Sequence, residues 1–208
     1  MRVTEIVKSA RKQIEKAHPF IPAVSTGWNL VYAAFHFILS YIYSSWWFLT
    51  LGFHHDVHGL MRLLVLKNGD RKPSVTSLWI GIAFIILANV VAGMISLSIR
   101  EQINPVRNRI VMIAVAAYTF SLFVLAIRNM IIARRKPEFT LIALRNISLS
   151  AATGSMLSLE RAMLGTFGDP ENAKTTLLEG WTGAGTFVLL LCMGVGMMLY
   201  ARKLKKQG

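Results

Sequence analysis

Cysteine is almost absent from this 208-residue chain. Its one cysteine, Cys192, lies inside an apolar run, which excludes a disulfide framework and any cysteine-based metal cluster. Residues 1–20 are basic and amphipathic and lack an apolar h-region, so no cleavable signal peptide is visible. No internal repeat stands out, and without one the sequence gives no support to an inverted-repeat transporter. Five histidines are too few for a histidine-rich membrane oxygenase. No Ser/His/Asp or paired-carboxylate set can be assembled either, which disfavours an enzyme.

What the chain has instead is apolar length. Hydrophobic residues make up 54% of it and the mean hydropathy is +0.49, too apolar for a soluble domain of this size. The formal charge of +13 does not point to nucleic acid. Most basic residues sit in short segments between apolar runs, where the positive-inside rule places them, and not on one exposed polar face. The expected fold is all-α, a polytopic membrane helix bundle whose partner is the lipid bilayer. Anionic lipids are expected at the basic cytoplasmic segments.

Residues 3–17, "VTEIVKSARKQIEKA", space Val3, Ile6, Val7, Ala10, Ile14 and Ala17 as one helical face with cations opposite. That pattern suits an interfacial helix on anionic headgroups; a loosely ordered basic tail is the other reading. Residues 1–27 thus form a cytoplasmic amphipathic segment, 28–200 a transmembrane bundle and 201–208 a basic tail. Spans are expected at 77–99, 109–133, 138–162 and 180–200. Residues 28–66 are harder to read. One helix of that length would reach about 60 Å, twice the hydrocarbon core. Either it folds into spans 28–46 and 47–66, turning near Ser44-Ser45-Trp46, or its first part lies at the interface or re-enters.

Charge favours six spans over five. With six, the inner segments hold Arg2, Lys8, Arg11, Lys12 and Lys16, then Lys67, Arg71 and Lys72, then Arg134, Arg135 and Lys136, then Arg202, Lys203, Lys205 and Lys206. The outer ones hold Arg100, Arg107, Arg109 and Lys174, so the ratio is 15 to 4. Five spans give 10 to 9, and the rule loses its grip. Both termini are therefore expected in the cytoplasm. Small residues recur every fourth position at Ser150, Gly154 and Ser158, and at Ala88 and Ala92. They allow close helix approach, either within the bundle or in a homo-oligomer.

Four stretches, "SSWWFLTL", "GLMRLLVL", "AAYTFSLFVLAI" and "ISLSAATGSMLSLERAMLGTFG", resemble a widespread family of small multi-pass bacterial membrane proteins with no assigned activity. The similarity runs over most of Trp28 to Gly168. It implies a bacterial cytoplasmic membrane location and nothing about chemistry. The chain departs from the family at His54 and His55, where the family has an aromatic pair, and at Glu160, where it has glutamine. The resemblance thus implies that the histidines belong to this protein alone.

The polar residues cluster in "GFHHDVHGLMRLLVL", residues 52–66. On a helix His54, His58 and Arg62 form one stripe with His55 beside it. His54 with His58, or His55 with His58, could offer two imidazoles to a transition metal. A third, His36, lies at about the same depth across the expected hairpin. Arg62 argues against a bound cation there. Hydrogen-bonded histidines in a polar interior are the plainer reading, and a haem is too large for neighbouring helices about 8–10 Å apart. Asp56 points elsewhere, about 100° to 200° around the helix, onto the face of Gly52 and Gly59.

Arg62, Arg128 and Arg145 all fall in the inner half of their spans, and Asp56 is expected to pair with Arg128 or Arg145 or to carry protons. Tyr118, Thr119, Asn129, Asn146, Ser148 and Thr153 could extend a polar path, whereas Glu160 and Arg161 fall near the outer end. The candidate site is therefore Asp56, His54, His55, His58, Arg62, Arg128 and Arg145. Two functions fit it. One is transport of an ion or small anionic solute; the other is a structural or regulatory subunit whose charges pair across helices or bind anionic lipid.

Overall fold

A computed structural model describes residues 20–69, 71–101, 109–135, 138–167 and 173–207. The described residues form six helices and no strand. They are α1 (Phe20–Tyr43), α2 (Trp46–Asn68), α3 (Pro73–Glu101), α4 (Arg109–Arg135), α5 (Phe139–Phe167) and α6 (Ala173–Gln207). The amphipathic stretch 3–17 lies outside the described residues.

The long apolar run 28–66 breaks into a hairpin at Ser44 and Ser45. The Ser45 N–H donates to the Ser40 carbonyl at 3.2 Å, and Ser44 takes a left-handed φ of 48°. This six-to-one closure ends a helix through one left-handed residue, a place where glycine is usual because a Cβ is disfavoured there. Ser44→Gly is accordingly expected to raise stability, by about 0.5–1 kcal/mol, in a melting experiment in mild detergent. Pro73 opens α3, where its missing N–H costs nothing.

Successive helices run up and down. At one end Trp47 of α2, Arg161 of α5 and Glu179 of α6 meet. At the other, Ser77 of α3 donates to the Met197 carbonyl of α6, and Phe139 of α5 stacks with Tyr200 of α6. The first is called the turn end below. The second is the basic end, because Lys67, Arg71, Lys72, Arg202, Lys203, Lys205 and Lys206 gather there.

Helices α3 and α6 share the most extensive contact. A Cβ on Gly81 would lie 2.9 Å from the Gly194 carbonyl, so the two backbones touch, as small residues permit. One core cluster joins α2, α3, α5 and α6 around Met61, Phe84, Leu87, Ile147 and Leu190. A second closes the turn end around Leu39, Trp47, Phe48, Leu51 and Met94. A third joins α1, α4 and α5 through Tyr32, Tyr118, Leu122 and Ala151.

The surface is apolar. Val31, Ile38, Ile42, Phe53, Leu60, Trp79, Ile86, Phe120, Val124, Val188 and Val195 all point outward, while every described histidine is buried. That inversion is the arrangement of a membrane bundle; soluble monomers rarely expose an apolar surface of this extent. Among the described residues three helices are long and apolar enough to cross a membrane: α3 over Pro73–Leu97, α4 over Met112–Ile131 and α6 over Thr176–Lys206. Six spans were expected, and α1, α2 and α5 fall short of that measure, the last two for a physical reason. Both carry many polar residues, and averaging along the chain counts these equally whether they face inward or outward. In α2, His54, His55, His58 and Arg62 are buried while Phe53, Leu60, Leu63 and Leu66 are exposed.

Candidate functional site

Four histidines occupy the middle of the bundle, His36 from α1 and His54, His55 and His58 from α2, each 0% exposed. The tight hairpin sets His36 level with His55, their ring centroids 5.4 Å apart. Helical spacing stacks His54 on His58 at 4.6 Å, and His55 lies 5.4 Å from His54. Helix α5 supplies the floor. Ser150 and Gly154, members of the small-residue stripe, face α2, and a Cβ built on Gly154 would collide with the His54 ring. The stripe therefore serves packing inside the bundle.

Two tautomers follow from backbone partners. The Nδ1 of His58 lies 2.7 Å from the His54 carbonyl, and that of His36 lies 2.9 Å from the Tyr32 carbonyl. A carbonyl only accepts, so both Nδ1 atoms carry protons and each Nε2 is left with a lone pair when the ring is neutral. The Nε2 of His58 meets Ser150 Oγ at 2.7 Å. The same hydroxyl also lies 3.0 Å from the Ile147 carbonyl. Ser150 can therefore donate to a neutral His58, or turn its proton to Ile147 and accept from a charged one. Both protonation states of His58 are accommodated without moving a helix.

A second branch reaches α4. The Tyr118 hydroxyl donates to Asn29 Oδ1 at 2.8 Å and stands 3.1 Å from His55 Nδ1. Tyr32 stacks on Tyr118 with ring centroids 3.4 Å apart and meets the His55 ring edge-on at 4.8 Å. Toward the basic end Arg62 is buried and donates to Ser148 Oγ at 3.1 Å, an oxygen that also accepts from Asn129. From His54 to Arg62 the column runs about 12 Å along α2. Toward the turn end it is capped by buried Phe48 and Leu51. Several buried polar atoms have no protein partner: Nε2 of His36 and His55, both ring nitrogens of His54, the Tyr32 hydroxyl and Asn29 Nδ2. Buried polar groups are nearly always satisfied, so this concentration singles the region out.

Several expectations need correction. Asp56 is half-buried and has no ion pair with Arg128 or Arg145 among the described residues. It sits between Gly52, whose Cβ would strike Phe37, and Gly59, whose Cβ would strike Leu30, so it faces α1 and leaves the histidine column. Arg128 and Arg145 are half-buried, and among the described residues the Arg145 guanidinium reaches its neighbour, Asn146 Oδ1, at 3.4 Å. No three metal-binding side chains converge among the described residues. The set His36, His54 and His58 fails because both His58 nitrogens are engaged and His36 packs on His55.

Sequence reasoning missed Asn29 and Tyr32, and saw Ser150 only as a small residue. The signal was a match of periods, since the α5 stripe and the His54/His58 stripe both repeat every fourth residue. It also placed Arg161 at the outer end without foreseeing its burial beneath Trp47, 4.2 Å from the ring centroid. No family model, no curated protein and no solved structure matches this chain, and the roles of these residues rest on their own geometry.

Proposed function

We propose that this is a six-span protein of the bacterial cytoplasmic membrane that handles protons through its histidine core. The observation that carries the reading is Ser150, whose hydroxyl lies within reach of both His58 Nε2 and the Ile147 carbonyl and so can follow a proton on and off the ring. His54, with both nitrogens unpartnered, stands between His58 and His55, and His55 continues to Tyr118. Ring-to-ring packing suits a proton better than a hydrated anion, which narrows the transport reading. Arg62, one turn beyond His58, adds fixed positive charge at the basic end of the column. The apolar outer faces of α1 and α2 support their crossing the bilayer, and the excess of basic residues supports a cytoplasmic basic end with both termini there. A structural subunit is the rival, favoured by the satisfied Arg62–Ser148 and Arg161–Glu179 contacts.

The test is proton flux in liposomes containing a pH-sensitive dye, driven by a potassium gradient with valinomycin. Protein-containing liposomes are expected to acidify faster than empty ones. His58→Ala and Ser150→Ala should each cut the protein-dependent rate at least about tenfold, a floor below the roughly 10²–10⁴-fold that positioned proton-transfer groups contribute. Wild-type liposomes no faster than empty ones would sink the relay and leave the structural reading.

A further inference from the structure

Away from the histidines, a cleft of about 610 Å³ lies between α5 and α6 near the turn end. Its volume falls in the range of about 300–1,000 Å³ typical of sites that enclose small ligands. Its walls are apolar, with Leu157, Leu159, Leu164 and Leu189 inside and Met156 and Met163 at the exposed rim. The polar exceptions are Glu160 and the hydroxyls of Thr153, Thr182 and Thr186.

Glu160 is the informative residue. Its Oε1 is buried without a hydrogen-bond donor, whereas the neighbouring Glu179 is paired with Arg161 at 3.6 Å. A carboxylate beside a lipid-facing apolar groove is costly unless a cation meets it. The Thr182 hydroxyl lies within hydrogen-bond reach of the carboxyl, yet an anionic headgroup would be repelled and a neutral apolar chain would leave Oε1 unmet. Charge and shape together favour an occupant with one hydrocarbon tail and one positive head.

We infer that the α5–α6 cleft binds a single-tailed amphiphile with an ammonium head, held by Glu160 and the threonine hydroxyls, its tail along the leucines. The site is independent of the proton relay, touching none of the four histidines. Thr153 nonetheless links it to the relay's floor, because the Thr153 hydroxyl donates to the Ser150 carbonyl at 2.9 Å.

The experiment is native mass spectrometry of the whole protein in zwitterionic nanodiscs. Three probes share one tail: hexadecylammonium, hexadecanol and hexadecyl sulfate. One equivalent of the ammonium should bind at least about tenfold tighter than the alcohol, the worth of one charge-assisted hydrogen bond, and the sulfate should bind weakest. Glu160→Gln should erase the preference for ammonium and leave the alcohol unchanged. Gly185 lines the cleft with open space where its Cβ would stand, so Gly185→Leu can fill the groove without a backbone clash and should weaken all three probes. The proposal is overturned if the sulfate matches the ammonium, if Glu160→Gln keeps the preference, or if Gly185→Leu binds every probe like the wild type.

Discussion

Gly154→Ala is expected to lower stability by about 1–3 kcal/mol and to cut proton flux at least about tenfold. One methyl group is the whole change, yet it would occupy space held by the His54 ring. That ring is fully buried between His58, His55 and α5, so it has no solvent to swing into. Either α5 moves away from α2 or His54 leaves its place, and each breaks the spacing between His58 and His55. A double-mutant cycle separates this from a general helix effect. In His54→Ala the collision disappears, so adding Gly154→Ala should then cost little, since alanine is the better helix former. Equilibrium unfolding in mixed micelles gives the four stabilities. Additive costs would show that Gly154 and His54 are not coupled, and would remove the packing basis of the column.

The second large effect is at the turn end. Arg161→Ala is expected to destabilise the bundle by about 3 kcal/mol, because it breaks a largely buried ion pair and a cation–π contact together. Arg161 Nη1 lies 3.6 Å from Glu179 Oε2, and its guanidinium lies over Trp47. This single side chain ties α2, α5 and α6 at the end where Phe48 and Leu51 cap the histidines. Glu179→Gln should cost less, about 2 kcal/mol, since it keeps the stacking and leaves a neutral oxygen to accept from the buried guanidinium. Arg161→Lys should fall between them, as an ammonium lacks the planar face that lies on indole. Melting of the three variants in one detergent ranks them. An Arg161→Ala protein that melts with the wild type would show that the end is held by apolar packing alone.

Much of the fold was legible in the chain because bilayer thickness imposes a length rule. Apolar runs of about 20 residues separated by cations read directly as helices, and 28–66 is too long for one span, which left either a hairpin near Ser44-Ser45 or an interfacial first part. The site was legible in part. The α2 stripe follows from helical period alone, so His54, His58 and Arg62 share a face and Asp56 does not. What the chain could not show was the partner of each face. Asp56 and the three arginines looked like complementary charges because nothing in a linear sequence gives distance between helices. Once packed, Arg128 and Arg145 stand half-exposed on α4 and α5, and Asp56 faces α1.

The sequence by itself determined that this is a helical membrane-type bundle, that 28–66 is too long for one span, and that histidines line one helix face. Periodicity and length are local properties, and a helix expresses them wherever it sits. Only the tertiary structure decided that Ser150 serves both His58 and a backbone carbonyl, that Gly154 gives room to His54, and that Tyr118 joins His55. Apart from the local Ser150–Ile147 bond, those contacts join residues 63 to 100 positions apart. Interhelical packing at angstrom precision selects them, and no run of neighbouring residues encodes which face will meet which.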